Sequence, residues 1–120
     1  MSKAFTAAVV QMASIPDDPL ATAEKAAARL REAAANGARL VVFPEALVGG
    51  YPKGASFGAP IGMRKPEGRA AFARYHARAI DLDGPEVAIL AEAVAETEAF
   101  AVVGVIERDG ATLYCTALYF

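Results

Sequence analysis

The stretch that most constrains this chain runs from Gly37 to Gly54, GARLVVFPEALVGGYPKG. An apolar run from Arg39 to Phe43 is stopped by Pro44, and one carboxylate, Glu45, follows at once. Val41, Val42 and Phe43 are strand formers, and the run is too short to be a helix. Pro44 has no N–H to give to a ladder, so pairing ends there. The pattern therefore predicts Glu45 at the carboxyl end of a buried strand, the edge at which open α/β sheets bind ligands. Gly49, Gly50, Pro52 and Gly54 then punctuate a loop.

The flanking segments predict the partners of that strand. Phe5 to Gln11 reads as a first strand whose two faces are both mostly apolar, as in a strand covered on both sides. Asp18-Pro19 is a helix start, a capping carboxylate before proline at the first helical position. That helix is expected to reach about Asn36, with Leu20, Ala23, Ala27, Leu30 and Ala34 on its inner stripe and Gly37 as its stop. A strand, a helix and a strand in this order imply a right-handed parallel crossover. Residues 45–68 show no periodicity, and a loop of that length is uncommon in a compact domain unless it is functional or disordered. Two further helices are expected, Arg69 to Ile80 with Phe72, Tyr75 and Ala79 inward, and one starting at Gly84-Pro85-Glu86 with Val87, Leu90 and Val94 as its stripe. A third strand, Phe100 to Glu107, and a fourth, Thr112 to Phe120, flank Asp109-Gly110, a hairpin signal that makes them antiparallel.

Composition narrows the function classes. One hundred and twenty residues make one domain at most. A net charge of −2 argues against nucleic acid and against a polybasic membrane surface. No apolar run approaches the roughly 18–20 residues that span a bilayer. Phe5 to Val10 is short for a signal segment and is followed by Gln11, which favours a strand. One cysteine allows no internal disulfide, consistent with a reducing cytoplasm. His76 has no Cys, Asp or second His at ligand spacing, so no metal site is expected. Gly49 and Gly54 have the spacing of a phosphate loop, but Ala55 stands where its lysine belongs.

Phe43-Pro44-Glu45 followed by the GGYPKG tail resembles the first signature of the nitrilase, or carbon–nitrogen hydrolase, superfamily, and the nitrilase branch in particular. Gln11-Met12, Gly68-Arg69 with Phe72 and Tyr75, and Val103 to Glu107 running on to Thr112-Leu113-Tyr114-Cys115 agree with that resemblance, which covers Ala4 to Phe120. It implies an α/β fold, one half of a four-layer α-β-β-α sandwich, and a hydrolase that converts an organic nitrile to a carboxylic acid and ammonia without a cofactor. In such enzymes a cysteine thiolate attacks the nitrile or amide carbon to give a thioimidate or acyl intermediate. A glutamate serves as general base, and a lysine stabilises the developing negative charge. Glu45 matches the base. The matching lysine and cysteine fall beyond Phe120. Cys115, inside an apolar strand, is expected to behave as a small hydrophobe rather than as the nucleophile. Lys53 does not match the catalytic lysine and is expected at a loop or entrance. Tyr51 lies where the family lines its substrate pocket.

Both faces of the strands are apolar, yet the pattern supplies one layer of helices. Ten large side chains left wet would forfeit roughly 1.5 kcal/mol each, about 15 kcal/mol in all, against the 5–15 kcal/mol or so of an ordinary domain. The chain is therefore expected to be the N-terminal part of a single domain, residues 1–120, with the remainder of the enzyme as partner. The resemblance adds a homo-oligomer or spiral filament. The basic stretch of Lys53, Arg64, Lys65, Arg69, Arg74 and Arg78 is a solvated face or, more sharply, an inter-subunit contact. Two other readings stay open: an amidase, carbamoylase or cyanide-hydrating relative, and a catalytically inactive fragment that acts as an assembly module.

Overall fold

The computed structural model describes residues 3–57 and 65–120. Among these, four strands and three helices follow in the order β1 (Thr6–Val9), α1 (Pro19–Ala35), β2 (Ala38–Val42), α2 (Pro66–Ala77), α3 (Pro85–Thr97), β3 (Phe100–Asp109) and β4 (Thr112–Tyr119). The sheet order is β1-β2-β3-β4, parallel from β1 to β3 and antiparallel between β3 and β4. This is the mixed α/β arrangement that the order of elements predicts.

The ends of the elements follow local chemistry. Asp18 caps α1 by accepting a hydrogen bond from the Ala21 N–H at 2.9 Å, and Pro19 takes a position where a missing N–H costs nothing. Gly84 caps α3 and Pro85 opens it. Helix α2 begins at Pro66, three residues before the expected Arg69, because proline at the first turn is a start signal that apolar periodicity alone does not reveal. It ends at Ala77, so Ala79 and Ile80 are buried beyond the helix, and Ile80 forms a parallel bridge to Glu107 of β3. The hairpin loop is Gly110-Ala111, one residue later than the expected pair, since Asp109 still pairs with Thr112.

One face of the sheet is packed. Val41, Phe43, Ala101, Val103 and Val105 share a cluster with Ala23, Ala26, Ala27 and Leu30 of α1 and Leu90 and Ala93 of α3. The inner stripe of α1 is therefore rotated from the expected one: Thr22 and Ala26 are buried, while Leu20 stays exposed. Alanines on both helices let them approach closely, and the exposed Arg31–Glu96 pair joining them, at 2.7 Å, adds little to that seam.

The other face is open. Ala7 and Val9 of β1, Leu40 and Val42 of β2, Phe100 and Val102 of β3 and Tyr119 of β4 are register partners across it. Val9 is 83% exposed, Tyr119 80% and Phe100 63%. The expectation that β1 is covered on both sides is thus corrected: among the described residues both α1 and α3 pack on the same side. No helix among the described residues is long and apolar enough to cross a membrane.

Leu30 has no exposed surface. Leu30→Ala is expected to lower the unfolding free energy by about 2–5 kcal/mol, the usual cost of a buried leucine and the cavity it leaves, as read from the midpoint of a urea titration.

Candidate active site

Strand β2 stops at Val42, and the Phe43 N–H still reaches the Val102 carbonyl at 2.9 Å. Pro44 then breaks the ladder, as its missing donor requires. Pairing with β3 resumes at Val48, whose N–H donates to the Gly104 carbonyl and whose carbonyl accepts from the Ile106 N–H. Glu45 lies in the gap between these two paired stretches.

Gly104 makes the gap possible. A Cβ placed on it would lie 2.6 Å from the Glu45 Cα and from the Ala46 nitrogen, and closer still to the Pro44 carbonyl oxygen. All three are backbone atoms, so a side chain here would push the whole turn off the sheet. The turn is also strained: Ala46 holds a left-handed φ of 51° while almost completely buried. A non-glycine residue in that region carries a cost that the surrounding packing must hold in place.

The turn is braced from behind. Ser14 Oγ donates to the Leu47 carbonyl at 2.6 Å. Arg78 reaches Asp17 with Nη1 at 3.1 Å, and its guanidinium lies 5.1 Å from the centre of the Tyr75 ring. Gly49, at φ 107°, lets the chain pass Ile106, whose Cβ would otherwise be 2.8 Å from an added Cβ. Phe57, at the far end of the loop, packs its ring against Tyr75 and Phe72 of α2.

These elements enclose a cavity of about 470 Å³ lined by Glu45, Ala46, Tyr51, Pro52, Lys53, Gly54, Tyr75, Ile106 and Cys115. Two larger hollows lie elsewhere. One, of about 720 Å³, is framed by Lys65, Arg69, Phe72 and His76 along α2. The other, of about 650 Å³, lies at one end of the strands between Phe5, Phe100 and Tyr119. Neither is lined by an Asp or Glu among the described residues, and the His76 imidazole in the first already has Nε2 engaged with the Gly110 carbonyl.

The structure thus brings Glu45, Tyr51 and Lys53 together around one cavity. Lys53 lies at its wall, as an entrance residue does, and Tyr51 is 60% exposed. Cys115 corrects the sequence reading. It is exposed rather than packed as a hydrophobe, and its Sγ lies 3.4 Å from the Glu45 Oε1. The signal was available in the hairpin register: Cys115 pairs with Ile106, two residues beyond Gly104 and on the same face. Partial burial of the sulfur pushes its pKa up, and the adjacent Glu45 carboxylate pushes it the same way. The group is therefore a thiol at neutral pH, and a thiol is a poor nucleophile.

Elsewhere His76 places Nε2 2.9 Å from the Gly110 carbonyl, fastening α2 to the hairpin tip. No group of three or more His, Cys, Asp or Glu able to hold a metal occurs among the described residues. Of the basic stretch, Arg78 is engaged internally, and Arg64 lies outside the described residues.

Comparison with known proteins gives a consistent picture. The family model described as carbon-nitrogen hydrolase matches residues 6–120. A nitrilase of Bradyrhizobium diazoefficiens is 65% identical over 116 residues, covering 97% of this chain and 36% of that protein. An aliphatic nitrilase of Sinorhizobium fredii is 59% identical over 116 residues, covering 97% of this chain and 38% of that protein. A bifunctional nitrilase/nitrile hydratase of Nicotiana tabacum is 54% identical over 114 residues, covering 95% of this chain and 33% of that protein. The chain spans about a third of the length of these curated relatives.

Gly104→Ala is expected to destabilise the fold by about 1–3 kcal/mol, as overpacking does, and to lift the Pro44–Ala46 turn away from β3. A denaturant titration checks the first effect, and a refined structure of the variant checks the second.

Proposed function

Because this chain belongs to the carbon-nitrogen hydrolase family, we propose that it supplies the general base of a nitrilase, which converts an organic nitrile to a carboxylic acid and ammonia. The observation that carries this reading is Glu45, held past the end of β2 on a strained turn and facing a cavity large enough for a small molecule. The names of the similar proteins support the choice of nitriles as substrates.

In the proposed reaction Glu45 takes the proton of a cysteine thiol, the thiolate adds to the nitrile carbon, and Glu45 returns the proton to the nitrile nitrogen to give the thioimidate. A weakly acidic thiol needs such a base at neutral pH. Water then adds to the thioimidate, Glu45 takes its proton and passes it to the nitrogen, and ammonia leaves to give the thioester; a second water, deprotonated by Glu45, releases the acid, and the proton returns to the cysteine sulfur. The nucleophilic cysteine and a charge-stabilising lysine are assigned to polypeptide following Phe120. In this proposal that polypeptide also covers the open face of Val9, Phe100 and Tyr119 with a second sheet layer. No cofactor enters these steps, and a free thiolate suits a reducing cytoplasm. Association into homo-oligomers, with the basic residues of α2 at a contact between subunits, belongs to the same proposal.

Tyr51 is proposed as a wall of the substrate pocket. It stands beside Glu45 on the loop that closes the cavity. A second reading concerns the product. The tobacco relative carries the name of a bifunctional nitrilase/nitrile hydratase, so release of an amide alongside the acid is the alternative outcome. Separating acid from amide among the products of one nitrile decides between them.

In the complete enzyme, Glu45→Gln is expected to reduce ammonia release from nitriles by about 10²–10⁴-fold, the contribution of a positioned base, while leaving the fold intact. Full turnover by this variant would overturn the assignment. Tyr51→Ala is expected to change KM and the relative rates among nitriles of different size, measured by steady-state kinetics on a substrate series.

A further inference from the structure

Cys115 lies closer to the Glu45 carboxylate than a packing role requires. Its Sγ is 3.4 Å from Oε1, within reach of an S–H hydrogen bond to a charged acceptor. Strand β4 brings it there. The backbone of residue 115 is fixed opposite Ile106, in a ladder of eight register pairs from Val102–Tyr119 to Asp109–Thr112. The turn that carries Glu45 is fixed against the same strand, β3, by the close approach over Gly104. Donor and acceptor are thus each referenced to β3, one from either side.

We propose that Cys115 is a positioning residue for the general base. Its thiol donates to Oε1 and so orients the carboxylate with Oε2 free to take the proton of the nucleophile or of water. The inference rests on Glu45 being that base and extends the reading to the group that aims it. A thiol suits the task. Held protonated at neutral pH by its raised pKa, it donates without competing as a base. Its single proton engages one oxygen and leaves the other unoccupied. The remaining titratable groups lining the cavity are Tyr51 and Lys53 on the loop and Tyr75 on α2. None of them has a hydrogen bond to Glu45 among the described residues.

The test uses the complete enzyme with Cys115→Ala, Cys115→Ser and Glu45→Gln, each assayed for ammonia release from a nitrile. Replacing the side chain leaves the β3–β4 backbone ladder untouched, and circular dichroism with a thermal melt checks that each variant is folded. Cys115→Ala is expected to lower kcat about tenfold, the size of one modest hydrogen bond to a charged group, with KM unchanged. Cys115→Ser, with a hydroxyl on the same Cβ, is expected to restore most of kcat. A Cys115→Ala variant with parental kcat, or one that loses only KM, would overturn the proposal, as would a Cys115→Ser variant no better than Cys115→Ala. If Glu45→Gln is inactive in the same series, the general-base reading stands whichever way Cys115 falls. If Glu45→Gln is active, both readings fall together.

Discussion

Two backbones touch where the Pro44–Ala46 turn crosses Gly104, and the rest of the site is built around that contact. A strand normally presents a side chain at every second position on each face, and such a side chain holds a neighbouring segment at a distance. The missing Cβ at Gly104 removes that spacer, so the turn settles onto β3 itself. The settling is paired on both sides, by Phe43 to Val102 before the turn and by Val48 to Gly104 and Ile106 after it. The strained Ala46 then persists because its neighbours leave it no other conformation.

From that contact the elements acquire separate tasks. Helices α1 and α3 pack one face of the sheet through small and medium apolar residues and keep β2 and β3 in line. Helix α2 and the connection after it cover the end of β3 on the opposite side, where Tyr75 and Ala79 meet Ala46 and Ile106 in a second, smaller cluster. Arg108 clamps that connection by reaching Asp81 at 2.7 Å and the His76 carbonyl at 3.0 Å. The site therefore sits at the boundary between the two clusters, with rigid strands beneath it and a glycine-punctuated loop above.

Much of this arrangement was legible in the chain. The Pro44 stop, the Asp18-Pro19 cap and the Gly84-Pro85 start each act through one or two residues and need no tertiary partner, so they appear where the sequence puts them. Glu45 was legible for the same reason, since the strand, the proline and the loop signals surround it. The less legible features depend on contacts between distant segments. The rotation of α1 toward Thr22 and Ala26 is set by what α3 and the sheet offer, not by the helix's own apolar stripe. The exposure of Cys115 follows from the open face of the sheet, and its meeting with Glu45 joins positions 70 residues apart. Gly104, in an apolar run, gives no local hint that a turn lies across it.

The bridge at Val48 separates what lies before it from what lies after it. It ties the polypeptide back to β3 before the loop from Gly49 to Phe57 begins, so the acid-bearing turn and the cavity wall are mechanically separate. Replacements among the exposed loop residues Tyr51 and Lys53 therefore leave the Glu45 turn on its own anchors. Turn and loop are thus two parts of one continuous stretch, divided by a single residue's pair of hydrogen bonds.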